Sequence, residues 1–258
     1  MKKTIEHIQS MKQSKQKMTM LTAYDYPTAR ILNDAGVDLI LVGDSLGMVV
    51  LGYEDTRSVT MADMLHHTRA VARGNAECVL VADLPYRAYE TPAQAIENAR
   101  LLRYAGADAV KLEGNKPEIV GGLVGEGIPV MGHVGLLPQT SERFRVHGRK
   151  PTEAKRILDD AKALEGAGCF AIVLESVPAQ LAAEMTQLLR IPTIGIGAGP
   201  ACDGQVLVIH DLLGLFDRFT PTFVKQYANL RKEIQRAVMH YKLEVQQGLF
   251  PDEEHSYH

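Results

Sequence analysis

The sequence predicts a closed (β/α)8 barrel in a single domain, and three observations carry that prediction. Eight short apolar runs recur along the 258 residues. Amphipathic helical stretches lie between several of them. The pair Ala-Gly, followed shortly by Asp or Cys and an apolar run, occurs at Ala35-Gly36, Ala105-Gly106 and Ala167-Gly168. Each such pair reads as a helix ending and a strand beginning. A βα repeat also builds the doubly wound open sheet, but eight units favour closure.

The runs, in order, are MTMLTAYD from 18, DLILVGDS from 38, CVLVADLP from 78, DAVKLEG from 108, IPVMGHVG from 128, CFAIVLES from 169, IPTIGIGAG from 191 and QVLVIHD from 205. Most are apolar on successive residues rather than alternate ones, as suits parallel strands buried on both faces. Helices are expected over 27–36, 60–74, 92–106 and 152–168. The third has Pro92 at a first helical position and Gly106 at its end, and the fourth has Thr152 as a candidate cap. From about 222 to 247 a long amphipathic helix is expected, with Phe223, Tyr227, Leu230, Ile234, Val238 and Tyr241 at helical spacing. It reads as an outer barrel helix or an oligomer contact. The expected organisation is therefore one barrel domain over 1–258 with a C-terminal helical extension.

Composition narrows the function classes. Hydrophobic residues are 46% and charged residues 23%, a globular mix. Against 31 acidic residues stand 28 basic ones, a net charge of −3 that argues against nucleic acid as a partner. The three cysteines show no paired spacing; Cys78 and Cys169 sit in apolar runs as small core residues. Neither a disulfide framework nor a zinc motif is present, which suggests a reducing compartment. The N-terminal lysines lack the apolar stretch of a signal peptide, and no run approaches the ~18 residues of a membrane span. A cytoplasmic protein is expected, with no membrane partner.

In a barrel the carboxyl ends of the strands carry the site. The polar residues there are Asp44 and Ser45, Asp83, Lys111 and Glu113, His133, Glu175, and the glycines of 195–199; Asp25 follows the first strand. Each has a plainer reading. Asp44 and Asp83 are also good turn caps. Lys111 and Glu113, two apart on one strand, share a face and suit an inward salt bridge. His133 also suits a satisfied core position, and Glu175 an ion pair. GIGAG is a weak phosphate-loop signal without the dinucleotide fingerprint. Together the residues say more. Two aspartates with few other ligands suit Mg²⁺, which takes oxygen ligands and leaves positions for substrate oxygens, while Zn²⁺ lacks its Cys and His partners. A cation so held chelates a 2-oxo acid and stabilises its enolate. A lysine beside it neutralises carboxylate charge, and a separate carboxylate moves the proton.

The motifs LVGDSLGMVVLGY, VADLPY, AVKLEG, PVMGHVGLLPQ, IVLESVP, IPTIGIGAGPACDGQVLVIHDLLG and FPDEEHS together resemble the 3-methyl-2-oxobutanoate (ketopantoate) hydroxymethyltransferase family over nearly the whole chain. The resemblance implies a barrel enzyme that condenses 3-methyl-2-oxobutanoate with 5,10-methylenetetrahydrofolate, using Mg²⁺, to give 2-dehydropantoate on the route to pantothenate and coenzyme A. It implies Asp44 and Asp83 as direct Mg²⁺ ligands that also meet the substrate, and Glu113 in the metal shell, directly or through water. It implies Ser45 and Lys111 holding the 2-oxo acid, His133 lining the pocket and Glu175 as proton acceptor. It further implies a large homo-oligomer, commonly a decamer. One stretch departs from the family: TSERFRVHGR at 140–149 is shorter by about three residues than the usual segment, with Arg143 and Arg145 where apolar and Gly residues are common. That change bears on the pocket wall and the cosubstrate, not on the metal or base positions. Two rivals remain. A lyase or mutase of the phosphoenolpyruvate mutase and isocitrate lyase group would carry a cysteine-bearing signature that is not found here. A silent scaffold barrel would have lost its ionisable strand ends.

Overall fold

A computed structural model describes residues 2–141 and 145–257. The chain divides into two compact units, Met1–Val208 and Ile209–His258. The first contains all eight strands: β1 (Met18–Thr22), β2 (Leu39–Val42), β3 (Val79–Asp83), β4 (Ala109–Lys111), β5 (Val130–Gly135), β6 (Ala171–Glu175), β7 (Thr193–Ile196) and β8 (Gly204–Leu207). They are parallel and close in sequence order, β8 pairing with β1. All eight fall on the expected apolar runs. LILV of β2 and VLVAD of β3 are buried at every position, which is why these runs do not alternate.

The helices of this unit are α1 (Ile5–Gln13), α2 (Tyr26–Asp34), α3 (Leu46–Val49), α4 (Met61–Gly74), α5 (Pro92–Tyr104), α6 (Pro117–Gly125), α7 (Pro151–Gly166) and α8 (Ala179–Leu188). The Ala-Gly pairs end α2, α5 and α7 as expected, with Ala35, Ala105 and Ala167 as C-caps and the glycines left-handed at φ +76°, +109° and +102°. Thr152 is not the cap of α7. Pro151 takes the first helical position, because its fixed φ suits that place and it has no N–H to satisfy, so the cap is Lys150. Nor are there eight complete βα units. Among the described residues, β7 passes to β8 through the Gly- and Pro-containing loop 197–203 with no helix between.

Inside the barrel, Met18, Met20, Leu39, Leu41, Val79, Val81, Ala109, Met131, Ala171, Val173, Ile194 and Val206 form the core, joined by Ile8 and Met11 of α1. Strand side chains alternate between the two faces of the sheet. Counting in twos from these core residues therefore brings Asp83, Lys111, Glu113, His133 and Glu175 onto the inner face at the carboxyl end.

At the opposite end, α1 and its flanks close the barrel with charge as well as apolar bulk. Lys3 Nζ pairs with Asp38 Oδ1 at 2.7 Å, Lys2 Nζ with Asp108 Oδ1 at 2.6 Å and Lys12 Nζ with Asp203 Oδ2 at 2.7 Å. Each aspartate immediately precedes β2, β4 or β8. Each accepts a backbone N–H from the neighbouring strand: Thr19, Leu80 and Thr193 respectively.

The second unit contains α9 (Ile209–Leu212) and α10 (Leu230–Gln247). The long tail helix is shorter than expected. It begins at Leu230, where the Asn229 side chain accepts from Lys232 N and caps the first turn. None of its residues is buried, and Ile234, Val238, Met239, Tyr241, Leu243 and Val245 are all exposed.

Candidate active site

The mouth is assembled from the ends of β2 to β6. Gly43 and Asp44 follow β2, Asp83 ends β3, Lys111 ends β4 with Glu113 two residues on, His133 lies in β5, and Glu175 ends β6. In register Asp83 lies beside Lys111, and Gly135 beside Glu175. A side chain at Gly135 would collide with the Glu175 carbonyl oxygen, 2.2 Å from where its Cβ would sit, and its φ of +100° also requires glycine. Beyond Glu175 the chain turns at Ser176, a non-glycine residue at φ +50°. Its N–H donates to Ile196 O and its carbonyl accepts from His147 N, which holds this uncommon conformation.

The side chains form one connected set. Asp83 Oδ1 lies 2.8 Å from Lys111 Nζ, and Asp83 Oδ2 accepts from Asp44 N at 3.0 Å. Asp44 Oδ2 accepts from Gln139 Nε2 at 2.8 Å. Glu113 Oε2 accepts from Gln139 N at 3.1 Å, and Glu113 Oε1 lies 3.5 Å from His133 Nδ1. The other imidazole nitrogen, Nε2, lies 3.2 Å from Glu175 Oε2. Both His133 contacts are ion-pair distances without hydrogen-bond alignment. Ser45 Oγ sits 2.8 Å from Tyr24 Oη.

Four carboxylates thus face one ammonium and one imidazole. Burial, together with the charges of Asp83 and Glu113, pushes the Asp44 carboxyl well above its usual range. Burial also raises Asp83, against the pull of Lys111. Burial disfavours the Lys111 ammonium, but Asp83, Glu113 and Asp44 outweigh it and hold the amine above its ordinary value. Burial likewise opposes charge on His133, yet Glu113 and Glu175 push it up to about 9.

Burial is the main cause of both shifts, and at Asp44 the neighbouring carboxylates add to it. Asp44 Oδ1 carries no hydrogen bond among the described residues. No three His, Cys, Asp or Glu side chains among the described residues form a metal cage by themselves. Two carboxylates that leave the remaining positions to substrate and water are a donor set Mg²⁺ accepts, so the residues present fit that cation.

The expected site residues Asp44, Ser45, Asp83, Lys111, Glu113, His133 and Glu175 all meet at this mouth. Asp25 does not. It is exposed and caps α2, accepting from Thr28 N at 2.8 Å. Lys111 pairs with Asp83, not with Glu113 as its spacing on the strand suggests. In the divergent segment 140–149, Arg143 lies outside the described residues. Arg145 pairs with Glu153 at the start of α7, at 3.0 Å. Two buried residues escape the sequence reading. Gln139 follows a proline in the β5 loop, where a polar residue just past a strand end was the available signal. Tyr89 looks like any core aromatic.

A family model described as ketopantoate hydroxymethyltransferase matches residues 2–253. The chain is 56% identical to the 3-methyl-2-oxobutanoate hydroxymethyltransferase of Moorella thermoacetica, over 98% of this chain and 97% of that one. It is 55% identical to a protein of that name from Thermus thermophilus, over the full length of both. Among solved structures, a phosphonopyruvate hydrolase complex with oxalate and Mg²⁺ superposes with a TM-score of 0.65 at 13% identity, over 98% of this chain and 93% of that one. A 2,3-dimethylmalate lyase of the PEP mutase/isocitrate lyase superfamily superposes at 0.62 and 14%, over 98% and 91%. At such identities these structures share the fold with this chain.

Proposed function

The chain belongs to the ketopantoate hydroxymethyltransferase family, and from that premise we propose how its barrel mouth performs the family's reaction. The enzyme transfers a hydroxymethyl group to 3-methyl-2-oxobutanoate, giving 2-dehydropantoate for pantothenate synthesis. The one-carbon donor is 5,10-methylenetetrahydrofolate, and Asp44 and Asp83 would hold Mg²⁺, with Glu113 in its shell directly or through water. When bound, Mg²⁺ supplies positive charge that stabilises an enolate of the 2-oxo acid.

The protein's own groups do the rest. Lys111 Nζ offsets the negative charge of the substrate carboxylate. Ser45, steadied by Tyr24 Oη, donates to a substrate oxygen. His133 lines the floor of the pocket and anchors Glu175 through Oε2. Glu175 Oε1 has no partner among the described residues, so it is the oxygen that takes the C3 proton. Water opens the donor's methylene bridge, breaking both C–N bonds and releasing tetrahydrofolate and the one-carbon unit as formaldehyde. The electron pair left on the substrate forms the new C–C bond to that carbon, and its oxygen takes the proton held by Glu175 to become the hydroxyl. The observation that carries this reading is the division of the carboxylates. Asp44, Asp83 and Glu113 are bound into one buried network through Gln139, whereas the Glu175 carboxylate, at the end of β6, is partly exposed and among the described residues meets that network through His133 alone.

The test is a transfer assay from methylenetetrahydrofolate to 3-methyl-2-oxobutanoate. Activity is expected to vanish on chelation and return with Mg²⁺. Asp83→Ala is expected to lose more than about 100-fold, since residues merely supporting a metal ligand already cost about 10- to 100-fold. Normal activity of Asp83→Ala after chelation and dialysis removes the metal assignment. We further propose a cytoplasmic homo-oligomer, as the family suggests; among the described residues no helix is long and apolar enough to cross a membrane.

A further inference from the structure

Gln139 is 1% exposed, and every polar atom of its side chain is used. Nε2 donates to Asp44 Oδ2 at 2.8 Å and to Leu84 O at 3.0 Å. Oε1 accepts from Tyr89 Oη. Tyr89 Oη in turn accepts from Glu113 N at 3.3 Å, and Gln139 N donates to Glu113 Oε2 at 3.1 Å. These bonds permit one direction only. Leu84 O is a pure acceptor, so the amide nitrogen must face it, and the same nitrogen reaches Asp44 Oδ2. The Tyr89 oxygen already receives the Glu113 N–H, so its own proton is left for Gln139 Oε1. The chain therefore runs from Glu113 N–H through Tyr89 and the Gln139 amide to Asp44, and hydrogen bonds aligned in one direction polarise and strengthen one another.

We infer that Gln139, with its amide oriented by Tyr89, is a positioning residue that presents Asp44 Oδ1 to the cation and fixes Glu113 relative to Asp44. The inference rests on the reading that Asp44 and Asp83 hold Mg²⁺. Without Gln139, the Asp44 carboxylate loses the donor that fixes its rotation, and cation binding must restrict that motion itself. Without the Tyr89 hydroxyl, the amide keeps its donors on Asp44 and Leu84 O but loses the partner of Oε1 that steadies its plane.

The experiment measures Mg²⁺ affinity of the whole protein by titration calorimetry with magnesium chloride, in the absence of substrate. Asp83→Ala comes first. If it binds Mg²⁺ as the wild type does, the metal reading fails, and the inference with it. If it loses binding, the other variants test the positioning role alone. Gln139→Met, isosteric but apolar, is expected to bind about 10- to 100-fold more weakly. Tyr89→Phe is expected to bind about threefold to tenfold more weakly, the scale of one hydrogen bond. The double variant should match Gln139→Met within a factor of about two, because Tyr89 acts through the amide. A purely structural role would lower the melting temperature and leave Mg²⁺ affinity unchanged. Wild-type affinity in Gln139→Met, or a double variant whose loss is the product of the single losses, overturns the inference. If Gln139→Met does not fold, Gln139→Asn, which keeps an amide but not its reach, reads the same quantity with the same two outcomes.

Discussion

Glu175 keeps 15% of its side-chain surface in solvent, while Asp83 and Glu113 keep 3% each. A carboxylate that must meet an arriving carbon acid needs that access, and one that holds a cation does not. Glu175→Gln preserves shape and removes the base. We expect Mg²⁺-dependent substrate binding to survive while exchange of the C3 proton with deuterated water slows by about 10²–10⁴. Exchange at the wild-type rate would assign the first proton transfer to another group. Lys111 is fixed by the buried ion pair with Asp83. Lys111→Met should raise KM, lower kcat, or both. It also leaves Asp83 buried without its partner, at a stability cost of about 3–5 kcal/mol. Unchanged steady-state kinetics would make the pair a structural one. At this scale the sequence shows which residues stand at strand ends, because alternation along a strand is local. It does not show that Lys111 turns to Asp83, because that contact crosses from β4 to β3.

At the scale of elements, α1 carries a role that its sequence does not advertise. IEHIQSMKQ looks like an ordinary short helix, but Ile8 and Met11 fill the barrel floor and the lysines around it meet aspartates at three strand starts. Asp38 is the best held of these, accepting from Lys3 Nζ, Thr19 N and Thr19 Oγ1. Burial would raise its carboxyl, but the bonds from Lys3 and Thr19 outweigh burial and hold it below the usual carboxylate value. A carboxyl lowered on folding stabilises the fold above its unfolded pKa of about 3.9, and that contribution fades as pH falls through the lower folded value. Asp38→Asn should cost about 1–3 kcal/mol at pH 7. The gap between wild type and variant in urea unfolding should close below about pH 4, with kcat at the distant mouth unchanged. A gap that persists undiminished at about pH 2 would contradict this account. In the other unit, the helix expected from about 222 begins at Leu230 instead. Spacing alone extended it across Asn229, whose side chain competes for backbone N–H groups and so starts a helix rather than continuing one.

At the scale of the whole molecule, α10 exposes Val238 at 58%, Met239 at 62% and Tyr241 at 58% on a helix with no buried residue. An amphipathic helix forms stably when its apolar face is covered. Together with family membership this predicts a homo-oligomer. Light scattering at micromolar concentration should return a multiple of the 28.3 kDa chain, and a monomer would overturn the prediction.

The sequence by itself determined the barrel, its strands, the polar residues at the ends of β2 to β6 and the family. These follow from short-range regularities: buried runs of strand length, Ala-Gly helix ends, and contiguous motifs. Tertiary structure alone decided which of those residues touch. The Gln139 amide meets Asp44 across 95 positions of sequence, and the Tyr89 hydroxyl meets Gln139 across 50. Hydrogen bonds and ion pairs act over a few ångströms of space. Separations of that length in the chain are brought within such reach only by the closing of the barrel, so the partner of a buried polar group is not encoded in its neighbours.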